Sequence, residues 1–101
     1  MINSKMRSKE VDELFDVLLL LKDREECYAL FEDLATIGEV KALARRLAIA
    51  KRLYFDDETY AVIAEEFGIS TTTIGRVKNS ILYGSGGYKT VLDRIVSKEN
   101  N

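Results

Sequence analysis

The chain has 101 residues, 47% of them apolar and 32% charged, with a formal charge of −2. That is the length of a single domain and the composition of a globular chain, not a disordered one. With no histidine and one cysteine, imidazole catalysis, His-ligated zinc, an intrachain disulfide and a thiolate cluster are all excluded.

The opening MINSKMRSKE lacks the apolar run of a signal peptide, and the longest wholly apolar run, Val17 to Leu21, is far short of the roughly 20 residues that span a bilayer. The expectation is a cytoplasmic protein with no membrane association. No Ser, Cys or carboxylate pair sits in a recognisable catalytic setting, so the chain is not expected to be an enzyme, and no metal site is expected.

The small net charge conceals alternating blocks. Residues 10–39 hold ten acids against Lys22 and Arg24, whereas 40–55 hold Lys41, Arg45, Arg46, Lys51 and Arg52 with no acid. Residues 56–66 are acidic again, and 67–92 carry Arg76, Lys78 and Lys89 without an acid. On charge alone, a local anion-binding face and a set of solvated mixed-charge helix faces are equally compatible.

Proline is absent and every glycine lies at or beyond Gly38, which favours long helices. Ser8 can cap a first helix, Lys9 to Lys22, in which Val11, Leu14, Phe15, Leu18 and Leu21 follow three-and-four spacing. Val17, Leu19 and Leu20 make that helix apolar on its other faces too, so it calls for cover on several sides, which points to burial between subunits. Asp23 with Glu26 reads as a capping box opening a second helix, Arg24 to Leu34, with Tyr28, Leu30, Phe31 and Leu34 inward and Cys27 packed as a small apolar residue. Thr36 with Glu39 is a second capping box, opening a third helix from Ile37 to about Phe55. Its apolar stripe is Val40, Leu43, Leu47, Ala50, Leu53 and Tyr54. Asp56 and Asp57 break the pattern, and a fourth helix runs from about Glu58 to Phe67.

The segment TYAVIAEEFGISTTTIGRVKNSIL carries the most information. Two short helices crossing steeply need a small residue at the crossing, a residue tolerant of positive φ four positions later, and apolar residues filling the angle. Ala64, Gly68 and the set Ile63, Phe67, Ile69, Ile74 and Val77 meet those needs, and Ser70 can cap the second helix. The alternative is an ordinary helical hairpin with Gly as a stop, but this many constraints met in about 18 residues favour a helix-turn-helix. The outward positions of the second helix are Thr71, Thr72, Thr73, Gly75, Arg76, Lys78, Asn79 and Ser80. Three adjacent threonines are poor helix formers but suit a surface that reaches base edges, thymine methyls and phosphates, and no acid is present to repel a backbone. A merely polar surface is the alternative.

At these residues the segment resembles the helix-turn-helix of the Trp repressor. The run YGSGGYK, Tyr83 to Lys89, directly after ISTTTIGRVKNSIL, makes the chain similar to the YerC/YecD type of Trp repressor-like protein over roughly residues 10–97. The resemblance implies an all-α, six-helix fold and an intertwined homodimer, with a last helix at about Tyr88 to Val96. The domain reading is a flexible tail at 1–8, one helical domain at 9–97 with its helix-turn-helix at 58–83, and a tail at 98–101.

The resemblance also implies an effector pocket built from Thr36, Arg46, Arg76 and Ser80 for L-tryptophan or another small molecule. Arg46 would meet a carboxylate and Arg76 would stack on a ring. Val77 and Asp33 depart from the family pattern at that pocket, and Ala61 stands where a basic residue is usual. The function expected is a sequence-specific, DNA-binding transcription regulator, a repressor, acting as a dimer on double-stranded DNA. Ser70, Thr71, Thr72, Thr73, Arg76, Lys78 and Asn79 would contact bases and phosphates, with Lys51 and Arg52 on the flanking backbone. The alternative is a protein-interaction module that keeps the fold without specific DNA binding.

Overall fold

The computed structural model describes residues 5–56 and 58–99. Asp57 and the outermost parts of both expected tails, 1–4 and 100–101, lie outside the described residues. The described residues form six helices and no strands: α1 (Lys9–Leu18), α2 (Arg24–Leu34), α3 (Ile37–Phe55), α4 (Tyr60–Phe67), α5 (Thr71–Tyr83) and α6 (Gly87–Glu99). The chain divides within α3, after Ala42, into an N-terminal and a C-terminal unit.

Helix starts in the N-terminal unit are set by side chains three residues ahead. Ser8 accepts from the Val11 N–H, and Asp23 accepts from the Glu26 N–H at 2.9 Å. Thr36 and Glu39 form a full capping box: the Glu39 N–H donates to the Thr36 hydroxyl and the Thr36 N–H donates to the Glu39 carboxylate. That backbone bond holds the Glu39 carboxyl below its ordinary pKa. The box at Asp23 is displaced by one residue, because Glu26 accepts from the Lys22 N–H instead of the Asp23 N–H.

Helix α1 stops at Leu18, earlier than the sequence pattern suggests. Leu20 and Leu21 make tighter bonds back to Val17 and Leu18, and the Lys22 N–H is already taken by the next helix. Neither α1 nor α2 contains a buried residue. Leu30 and Phe31 are half-covered, but Tyr28 and Leu34, expected inward, are exposed, as is Cys27. Two helices have too little surface to cover each other's apolar sides. Leu19 and Leu20 are 83% and 73% exposed in the single chain.

The C-terminal unit holds the core. Ile49, Ala50 and Leu53 of α3, Ile63 and Ala64 of α4, Ile74 and Val77 of α5 and Leu92 of α6 are buried together. Tyr54, Phe67, Ile69, Ile81, Tyr88 and Ile95 pack around them. On α3 the inward face is therefore set by Ile49 with Ala50 and Leu53, while Leu43 and Leu47 are exposed. Tyr54 donates from its hydroxyl to Asp93, which Lys89 also approaches at 3.4 Å, joining α3 to α6. The bond from Tyr54 lowers the Asp93 pKa, and the same bond raises that of Tyr54. Helix α6 runs to Glu99, beyond the Val96 end read from sequence, with Lys98 in its last turn complementing the helix dipole.

Candidate nucleic-acid interface

Helices α4 and α5 form the expected corner. Thr59, one residue inside the expected start at Glu58, caps α4 by accepting from the Val62 N–H. Gly68 ends α4 in the left-handed region, φ 67° and ψ 37°, and its N–H and that of Ile69 close onto Glu65 and Ala64 carbonyls. Ser70 then caps α5 by accepting from the Thr73 N–H at 3.2 Å. Ile63, Ala64, Ile74 and Val77, buried in the angle, fix which side of α5 faces out.

That outward side carries Thr71, Thr72, Thr73, Arg76 and Asn79, all exposed, with Lys78 half-buried beside them. The Thr73 hydroxyl lies 3.1 Å from that of Ser70 and belongs to the cap. Among the described residues no carboxylate comes within ion-pair distance of Arg46, Lys51, Arg76 or Lys78. These cations are available to an external anion.

Arg52 is otherwise engaged. Its Nε lies 2.8 Å from Asp56, one terminal nitrogen 2.6 Å from Glu58, and the other 2.7 Å from Glu66. Its guanidinium also stands 6.0 Å from the Phe67 ring centre. The bonds to Glu66 and Glu58 raise its pKa further, and Arg52 in turn lowers that of Glu66. Arg52, expected on the flanking phosphate backbone, thus has a carboxylate of its own chain beside each nitrogen of its head, although its buried Nε makes no hydrogen bond. Arg45, singled out in sequence only as part of a basic block, donates to the Phe67 carbonyl at 2.9 Å and so ties α3 to the turn.

Of the four residues implied for an effector pocket, Arg76 and Ser80 share a shallow groove of about 360 Å³ with Asn79, Tyr83 and Gly84. The Ser80 hydroxyl donates to the Arg76 carbonyl at 3.1 Å. Arg46 is exposed on α3 and does not line that groove, and the Thr36 hydroxyl is the cap of α3. Val77 directs its bulk into the core, 7% exposed, and Asp33 is exposed on α2. A second groove of about 460 Å³ is lined by Ala48, Lys51, Arg52, Phe55, Asp56 and Phe67. Among the described residues no side-chain cluster could hold a metal, and no helix is long and apolar enough to cross a membrane.

Residues 9–96 match the family model of the Trp repressor protein. The chain belongs to the Trp repressor family. It is 48% identical over 95 residues to the uncharacterized protein YerC of Bacillus subtilis, covering 94% of this chain and 90% of that one. Among solved structures it is similar to a candidate Trp repressor from Staphylococcus aureus, with 46% identity, a TM-score of 0.82 and 94% of each chain covered. It is also similar to a TrpR-like protein from Eubacterium eligens, with 44% identity, a TM-score of 0.83, and 92% and 95% covered. The YerC-type resemblance seen at YGSGGYK and the six-helix fold are thus both borne out, and the fold is a regulatory one by family.

Proposed function

We propose that this Trp repressor-family chain is a dimeric, sequence-specific DNA-binding regulator, a repressor, that reads duplex DNA with α5. The observation that carries the reading is the acid-free outward side of α5. It presents Thr71, Thr72, Arg76, Lys78 and Asn79 from a helix seated by Ile74 and Val77 and capped by Ser70 and Thr73. Threonines supply hydroxyls and methyls to base edges, Arg76 and Asn79 supply bidentate donors, and Lys78 and Lys51 supply phosphate contacts.

Two such helices in a twofold dimer would enter successive major grooves about 34 Å apart, giving a roughly palindromic site. The cover needed by Leu19 and Leu20 supports the dimer. Of the residues implied for a small effector such as L-tryptophan, Arg46 and Arg76 are unpaired among the described residues. A calorimetric titration with L-tryptophan tests that part separately.

Selection of bound fragments from random duplex DNA tests binding, preference and symmetry together. Thr72 has a hydroxyl outside the cap, so Thr72→Ala is expected to lower affinity for the selected site by about 5- to 10-fold while leaving nonspecific binding nearly unchanged. Equal losses on both kinds of DNA remove Thr72 from the reading surface. The acidic block at 10–39 favours the second reading, a protein-interaction module. Recovery of no enriched sequence, with no retention on genomic DNA, selects it.

A further inference from the structure

We propose that Arg52 is the positioning residue of the DNA-reading corner, holding α4 at both ends so that α5 keeps one attitude to α3. The inference rests on the DNA-binding reading above. Arg52 projects from α3, and its three nitrogens reach Asp56, Glu58 ahead of α4 and Glu66 near the end of α4. Glu58 and Glu66 are eight residues apart in sequence, on either side of the α4 body. A planar fork with three separate N–H directions can hold both ends, whereas a lysine has one nitrogen and cannot span them. The Phe67 ring beside the guanidinium, and the Arg45 bond to the Phe67 carbonyl, fasten the end of α4 that leads into the Gly68 turn. Ile63 and Ala64, the buried residues of α4, lie between these fastenings and pack with Ile74 and Val77 of α5, so the attitude of α4 is passed to α5 through the core.

The charge-keeping variant Arg52→Lys separates this role from a phosphate contact. A phosphate contact survives the exchange, because the positive charge remains; a brace does not. Affinity for the selected site is expected to fall about tenfold, the size of one lost base contact, with nonspecific affinity and the slope of log affinity against log salt unchanged. Wild-type affinity of Arg52→Lys for the selected site, or a salt slope lowered by about 0.9 in Arg52→Gln, overturns the proposal.

Glu66→Gln gives an independent arm. It weakens the hold on one terminal nitrogen of Arg52, leaving Asp56 and Glu58 in place, and removes a negative charge, so nonspecific binding should strengthen while the ratio of specific to nonspecific affinity falls; a rise in that ratio is contrary to a brace. Amide hydrogen exchange without DNA is the third readout. Exchange across Ile63 to Ile69 should quicken in Arg52→Lys, and unchanged exchange rejects the brace. Absence of DNA binding by the wild-type protein rejects the functional reading, while the exchange result still decides whether Arg52 braces α4.

Discussion

Gly75 sits in the middle of α5, half-buried, and a Cβ built there meets nothing within 4 Å. Glycine inside a helix costs about 0.5–1 kcal/mol relative to alanine, so nothing within the chain accounts for it. Gly75→Ala is expected to raise thermal stability by about that amount and, if α5 lies in a groove, to weaken binding to the selected site. Calorimetric unfolding and gel-shift titration of the same variant measure both. Acid sensitivity also belongs to single residues. Glu39, Glu66 and Asp93 all have lowered pKa values, from the Thr36 N–H, Arg52 and Tyr54 respectively. A carboxyl with a lowered folded pKa contributes stability that is present above its unfolded value and lost as pH falls through the folded one. Stability is therefore expected to decline below about pH 4. With no histidine, there should be little change between about pH 6 and 8. Urea unfolding across pH checks the sign.

The caps decide where elements begin, and they were legible because each is a short-range chemical pattern. Ser8, Asp23, Thr36 and Ser70 all cap the helices that their spacing announces. Ser70→Ala is expected to destabilise the fold by about 1 kcal/mol, read from the shift in chemical midpoint. Gly68 and the fill of Ile63, Ala64, Ile74 and Val77 were legible for a similar reason, since the steep corner prescribes both residue type and spacing. The end of α1 was not, because an unbroken apolar run from Val17 to Leu21 carries no stop signal, and the tighter bonds of Leu20 and Leu21 that close the helix have no residue-type signature. The choice of Ile49 over Leu43 and Leu47 as an inward residue of α3 was hidden as well. Several apolar stripes coexist on that helix, and only the packing partners choose between them. The role of Arg52 was the least visible, since its partners Glu58 and Glu66 lie six and fourteen residues away and a basic block in sequence reads equally well as a phosphate contact.

At the scale of the whole molecule, the buried core lies in the C-terminal unit, while α1 and α2 leave leucines open to solvent. On the dimer reading, sedimentation equilibrium should give twice 11.5 kDa, and Leu20→Asp should return the mass to that of one chain with helix content largely kept. A single-chain mass for the wild-type protein removes the dimer. On α5 the positions that seat the helix, Ile74 and Val77 with the Ser70 and Thr73 cap, are different residues from Thr71, Thr72, Arg76 and Asn79, which face outward. Scaffold and lettering are thus written in separate columns of one short helix. On the DNA-reading proposal, gene duplicates could drift toward new operators by exchanging outward letters alone, and a laboratory library randomised at those four sites should retain folded members in abundance.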